Sequence, residues 1–282
     1  MAARVPSRRA YILVVVVMLT IVVGMMAAVG LNRQGAQSLE VTRQTRAYQQ
    51  HHAARGIQEA IGVWLRTVSA RNLADALGER GHALDITLDG GVTLEVYLHD
   101  GQGSALADLS GVVQAEVDIA GATLANLQNL VGDERFSLYT REGGPAAVSI
   151  NAAPEPVIRA VLLSTLTEAM TDEMTDAIMD MRSAGTRLTR NDLTEALTAV
   201  GATGVERTAV TRMITEQPEV WWVTVIGRHT IRGVTARYGG LVVLRSASRG
   251  GTSAGTSSFV SWQDLGVGPR RVSPPPGIPE ID

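Results

Sequence analysis

The stretch "HDGQGSALAD" sets Asp100 and Asp108 around two glycines, and carboxylates so placed could offer oxygens to Ca²⁺. The spacing departs from the D-x-[DN]-x-[DN]-G loop that wraps calcium, so a plain turn is favoured over an ion site. Histidines stand at positions 51, 52, 82, 99 and 229, without the H-x-x-x-H or H-E-x-x-H spacing that puts two imidazoles on one metal. His51 and His52 fall on an exposed helical stretch and read as solvated. The chain has no cysteine, and all 25 of its basic residues are arginines. Thiolate chemistry, disulfides, the Walker A loop, Schiff-base catalysis and Ser-Lys pairs are thereby excluded, because each needs a thiol or an amine. No G-x-S-x-G elbow occurs, so a serine hydrolase has little support. "SRGGTSAGTSS" has the glycines of a phosphate cradle but precedes a strand pattern and no lysine, and it reads as a hairpin loop.

"INAAPEPVIRAVL" and "AVGATGVERTAV" have the look of helix-hairpin-helix units, which hold nucleic-acid phosphates on glycine-rich turns. Such a turn should be basic, whereas residues 165–180 carry five acids and no base, and the chain beyond Gly35 has 28 acids against 21 arginines. No nucleic-acid partner is expected. A membrane-anchored DNA-binding protein stays as a distant alternative. With these exclusions the expectation is a protein that is not an enzyme.

The elements around these residues begin with "YILVVVVMLTIVVGMMAAVGL", residues 11–31, uncharged throughout. At about 1.5 Å per residue it is long enough to cross a hydrocarbon core of about 30 Å. Arg4, Arg8 and Arg9 precede it, Arg33 follows, and no acid appears before Glu40, which predicts a cytoplasmic N-terminus and an outer bulk. The alternative is a cleaved secretory signal with "AAVG" at 27–30, although a signal core usually has about 7 to 15 apolar residues. Ala54, Ile57, Ile61, Trp64, Leu65 and Val68 recur at helical steps, so the segment is expected to continue as one amphipathic helix to about Arg71.

"ALDITL" (83–88) and "GVTLEVYLHD" (91–100) flank an Asp-Gly turn signal and predict a β-hairpin. "GVVQAEVDI" (111–119) and "RFSLYT" (135–140) are further strand candidates, with a short helix near 124–130. From Asn151 the pattern changes to short helices. Pro154 and Pro156 suit a first turn, Thr189 with Asp192 makes a capping box, Leu193, Leu197 and Val200 form a stripe, and Gly201 stops it. In 171–182, Met174, Ile178 and Met181 share one side. Past Pro218 strand patterns resume over 220–245 and 258–262. A sheet interrupted by a helical insertion is therefore predicted, with a proline-rich tail from Gly266 that is expected to be disordered.

The order of these parts resembles the type II secretion system protein K family, the K-type minor pseudopilins of the general secretion pathway. The likeness lies in the short Arg-bearing leader, the apolar helix running into an amphipathic half, "VYLHDGQGSALADL" against the family's v-x-I-x-D-x-x-G-K-I-N-L-N, "SINAAPEPVI" against N-V-N-T-A-P-x-x-V-L, "RLTRNDL", "AVGATG" and the closing "VWWVTVIG…SFVSW". It covers most of 8–262. Ser149 and Ala152 stand where the family tends to have Asn and Thr, Ala10 stands where prepilin peptidase usually finds Gly, and 109–147 is shorter than the family's helical portion.

The resemblance implies an α+β fold: a pilin-like long N-terminal helix packed on an antiparallel sheet, with an inserted small all-helical domain of SAM-like or helix-hairpin-helix-like type. Its boundaries would be a prepilin leader (1–10), a transmembrane segment (11–31), an amphipathic continuation (32–80), a first sheet part (83–148), the helical insertion (149–217), a second sheet part (218–265) and the tail (266–282). It further implies cleavage between Ala10 and Tyr11 by prepilin peptidase, and an inner-membrane, single-pass protein with its bulk in the periplasm. Its partners would be other minor pseudopilins, packed along the N-terminal helix, and its role would be to cap the pseudopilus tip and help start its assembly. Val15, the fifth residue after that cleavage, replaces the glutamate of most pilins, a lack characteristic of K-type members. A tip minor pilin or adhesin of a related type IV pilus is the alternative. No cofactor is implied beyond the calcium candidates Asp100 and Asp108.

Overall fold

The computed structural model describes residues 8–67, 73, 77, 79–185, 187–245 and 256–267, with side chains at only some positions of the first helix. The chain divides into two units, 1–57 and 58–282. Helix α1 covers Arg8–Thr67. The expected continuation to about Arg71 falls on residues 68–72, which lie outside the described residues. Among the described residues no helix is long and apolar enough to cross a membrane. The side chains of 11–31, apart from Met18, Met25 and Met26, and the whole of the leader before Arg8 lie outside them. In the first unit α1 carries helix-spaced side-chain bonds, Gln44 to Glu40 at 3.1 Å and Thr42 to the Ser38 carbonyl at 2.8 Å, and exposes Leu39, Val41 and Tyr48.

In the second unit β1 (His82–Leu88) and β2 (Val92–Asp100) form an antiparallel hairpin. Its turn needs positive φ at Gly90 (84°) and Gly91 (76°), which glycine adopts without strain. The chain then leaves the sheet. Residues 101–219 intervene before β7 (Val220–His229), which pairs directly with β2, Asp100 lying opposite Trp221. β8 (Gly233–Arg245) pairs with β7, while β9 (Thr256–Phe259) and β10 (Gln263–Asp264) both pair with β8. The result is a six-stranded antiparallel sheet in an α+β body.

Side chains alternate along these strands, so cross-strand partners share a face. Leu94, Val96 and Leu98 of β2 and Val223 and Val225 of β7 are buried on one face. Phe259 pairs with Val242 on that side, and the end of α1 packs there: the Ser257 hydroxyl donates to the Gly62 carbonyl at 3.0 Å, and Ile61 and Leu65 are buried. Burial of two aliphatic side chains holds this part of α1 far better than its own propensity could.

Between β2 and β7 the chain folds into α2 (Gln114–Val131), α3 (Asp133–Phe136), α4 (Glu155–Leu163), α5 (Glu168–Ser183), α6 (Arg190–Ala199) and α7 (Gly204–Met213). Two short parallel pairs tie them: β3 (Ala105–Leu106) with β4 (Thr140–Arg141), and β5 (Val148–Ser149) with β6 (Ile214–Thr215). The second pair sets the two ends of the 149–217 segment side by side. Pro154 is the N-cap of α4 with Pro156 in its first turn, the Thr189–Asp192 capping box starts α6, and Gly201 (φ 81°) follows its end.

Two expected strands are not formed. Residues 111–119, with their β-branched Val112, Val113, Val117 and Ile119, enter α2, because Ala120, Thr123 and Leu127 bury at helical steps against α4 and half-buried Ile119 and Leu124 extend that stripe. Tertiary packing outweighs β-propensity here. Residues 135–140 form the end of α3 and a 3₁₀ turn at Ser137–Tyr139, leaving only Thr140–Arg141 in a strand. The apolar core of the helical part joins Leu127 of α2 to Val157, Val161, Met174, Ile178, Leu197 and Val210, so α2 shares a core with the later helices.

Candidate functional site

Where the sheet opens, polar groups gather in place of apolar ones. Asp100 ends β2, and beyond it Gly101 sits so close to β7 that a Cβ there would lie 2.9 Å from the Trp222 backbone nitrogen and the Leu241 side chain. A Cβ on Gly103 would lie 2.7 Å from the Ala152 carbonyl oxygen, so only glycine lets these two segments meet. Asp100 accepts from the backbone N–H of Gln102 at 2.9 Å and from the hydroxyl of fully buried Ser149. Ser149 and Asn151 belong to the second quoted motif, Asp100 and Gln102 to the first. Two of the stretches quoted for the resemblance thus form one cluster.

Gln102 is almost wholly buried and spends its amide on three partners. Its nitrogen donates to the Ala147 carbonyl at 2.7 Å, and its oxygen accepts from the N–H groups of Glu219 (2.7 Å) and Val220 (3.3 Å). One side chain therefore ties the departing strand to the returning one. The Arg141 guanidinium donates to the carbonyls of Ser104, Pro145 and Ala147, and Arg182 donates to those of Ile150 and Ala153. Asn151 exchanges two bonds with the Leu188 backbone, at 2.9 and 3.0 Å.

Electrostatically the cluster sets one inward carboxylate among the guanidiniums of Arg141, Arg182 and Arg187. Burial pushes the Asp100 carboxyl above its ordinary value, opposed by the bonds from Ser149 and Gln102. Burial also lowers Arg141, to about 10, with Asp100 working the other way. Arg182 is lowered for the same reason. Ser149 is fully buried, its hydroxyl donating to Asp100 and accepting from the Asn151 N–H, so this arrangement locks backbone segments together. His99, on the opposite face of β2, is lowered by burial, and its Nε2 is buried without a hydrogen-bond partner among the described residues.

Of the two calcium candidates, Asp100 is held within the joint by Ser149 and Gln102. Asp108 is exposed and accepts from the Ser110 N–H at 2.9 Å, the Asx-turn pattern that Asp100 repeats with Gln102. Among the described residues no three His, Cys, Asp or Glu side chains form a metal-binding group. Of the helix stripe, Ile61 and Leu65 are buried, Ala54, Ile57 and Trp64 are half-buried, and Val68 lies outside the described residues. Ala10, Tyr11 and Val15 fall in α1 by backbone, but their side chains also lie outside them. The hairpin between α6 and α7 holds a capping box that sequence reading passed over: Glu206 accepts from the Thr203 N–H at 2.7 Å.

No protein-family model matches the chain, and no curated protein does. Among solved structures, the crystal structure of the GspK–GspI–GspJ complex from the type 2 secretion system of enterotoxigenic Escherichia coli matches with a TM-score of 0.44 and 12% identity, over 78% of this chain and 99% of that one.

Gln102 and Ser104 lay within the quoted "HDGQGSALAD", so a glutamine between two glycines was a readable signal. Arg182 was readable only as the lone base of an acidic helix. Arg141 had no signal at all, since its partners are backbone carbonyls.

Proposed function

We propose that the chain is a minor pseudopilin of a type II protein secretion system, anchored in the inner membrane by residues 11–31 with its bulk in the periplasm, and acting by assembly. The observation that carries this is the meeting of Asp100 and Gln102 with Ser149 and Asn151. The motifs that resemble the K-type family are distant in sequence, and they build one joint at the point where a sheet is opened by helices. A long N-terminal helix whose end packs on that sheet supports the same reading.

Within this reading the chain caps the pseudopilus tip. An unpaired carboxylate inside a membrane helix is costly, about 2.5 kcal/mol or more at the centre and less toward the ends, where Val15 lies. A fibre subunit can recover that cost by pairing its glutamate with the amine of the subunit above it. A leading subunit has nothing above it, so Val15 suits that place, and its own amine at Tyr11 would face the glutamate of the next subunit down. The partners are then other minor pseudopilins.

The test is export. Deleting the gene from its own cell should leave folded secretion substrates in the periplasm, and restoring the intact chain should return them to the medium. Unchanged export, or loss of pilus-based adhesion instead, would replace this reading by the type IV pilus alternative.

A further inference from the structure

Beside the joint, with which it shares Ala147 and Ile150, a cleft of about 300 Å³ opens on the helical part between the start of α6, the end of α7 and β6. Its apolar lining comes from Ile150, Leu193 and Ile214, all buried. Its rim carries Arg190 and Arg212, both exposed, and neither makes an ion pair among the described residues. The acid among the lining residues, Glu216, is already engaged: its carboxylate accepts from the Arg190 N–H at 2.6 Å, and its carbonyl accepts from Arg187. The cleft therefore presents two guanidiniums and one backbone-bonded carboxylate over an aliphatic floor, a surplus of positive charge on a chain that beyond Gly35 is net acidic. β6 lines one side and, among the described residues, pairs only with β5, so it is an edge strand.

We propose that this cleft binds an extended segment of a partner protein that offers one aliphatic side chain between two carboxylates. The aliphatic group fills the floor, the carboxylates meet Arg190 and Arg212, and the segment's backbone runs beside β6 in the manner of strand addition. Charge complementarity selects an acidic segment over a basic or neutral one. Volumes near this size hold a few residues, so recognition rests on a short motif rather than a broad surface. The ligand does not depend on the pseudopilin assignment, because peptide binding and protein export are separate readouts.

The test uses the full chain in neutral detergent and fluorescence anisotropy of the labelled peptide Gly-Ser-Glu-Ile-Asp-Ser-Gly, against Gly-Ser-Lys-Ile-Lys-Ser-Gly and Gly-Ser-Glu-Gly-Asp-Ser-Gly. The first should bind roughly tenfold or more tightly than either control. The double variant Arg190→Glu with Arg212→Glu should weaken it by about tenfold, as two attractive pairs become repulsive, and Arg190→Gln with Arg212→Gln should weaken it less. Thermal melts followed by circular dichroism check that these surface variants stay folded. Absent binding, equal binding of the lysine peptide, or unchanged binding by both double variants overturns the proposal. A chain ending at Val267 that binds the probe much more tightly than the full chain also overturns it, since residues 268–282, which include Glu280, Ile281 and Asp282, would then be the occupant.

Discussion

Asp100, the last residue of β2, accepts a hydrogen bond from the Ser149 hydroxyl of β5, so one carboxylate joins the end of a sheet strand to the start of the helical segment. Ser149→Ala removes that donor and leaves the carboxylate with the Gln102 N–H. Stability should fall by about 1–3 kcal/mol, read as a lower urea midpoint with an unchanged slope.

The same residue sets a pH dependence. Burial raises the Asp100 carboxyl above its ordinary 3.8, so the folded chain keeps this proton to higher pH than the unfolded chain does. That contribution to stability is complete below 3.8 and is lost as pH rises through the raised value. Asp100→Asn cannot titrate. In urea titrations between about pH 3 and 7, wild type should lose stability relative to this variant as pH rises. A gap that stays constant would show that Asp100 is not desolvated.

Gln102 is satisfied as an amide only in the orientation that donates to Ala147 and accepts from Glu219 and Val220. Gln102→Glu sets an acceptor against the Ala147 carbonyl. A loss of about 2–3 kcal/mol is expected, together with faster hydrogen exchange at the Glu219 and Val220 amides.

The end of α1 offers a contrast two residues apart. Ile61 is 0% exposed and Val63 is 53% exposed. Ile61→Ala should cost about 2–5 kcal/mol, whereas Val63→Ala should stay within about 0.5 kcal/mol in the same denaturant assay. Comparable losses would mean that the helix does not pack on the sheet through Ile61.

The hairpin of β1 and β2, the capping box at Thr189, the α4 prolines and the return to strands at Val220 were all legible, because each is written locally in turn residues, caps or alternation. Residues 111–119 were misread because β-branched residues favour a strand until a neighbouring helix offers a surface, and α4 lies about forty residues away in sequence. At the joint, Asp100 was read first as a turn residue and only second as a calcium candidate, and its bond from the Gln102 N–H is a turn. Its other partner, Ser149, was legible only as a departure from the family motif. Arg141 was invisible because side-chain to backbone bonds leave no paired residue to find.

Processing follows from the proposed pathway. Intact-mass measurement of the membrane-bound protein should show a chain that begins at Tyr11, cleaved after Ala10, with residues 11–31 retained. A mature N-terminus near Leu31 would mark an ordinary secretory signal and a protein released from the membrane.

The central claim is that this chain leads a pseudopilus, and photo-crosslinking from position 11 in native membranes tests it most directly. A crosslinker in place of Tyr11 should capture other minor pseudopilins, with one copy of this chain per fibre and none of it within the shaft. Adducts between copies of the chain, or copies spaced along the fibre with other subunits on both sides, would contradict it.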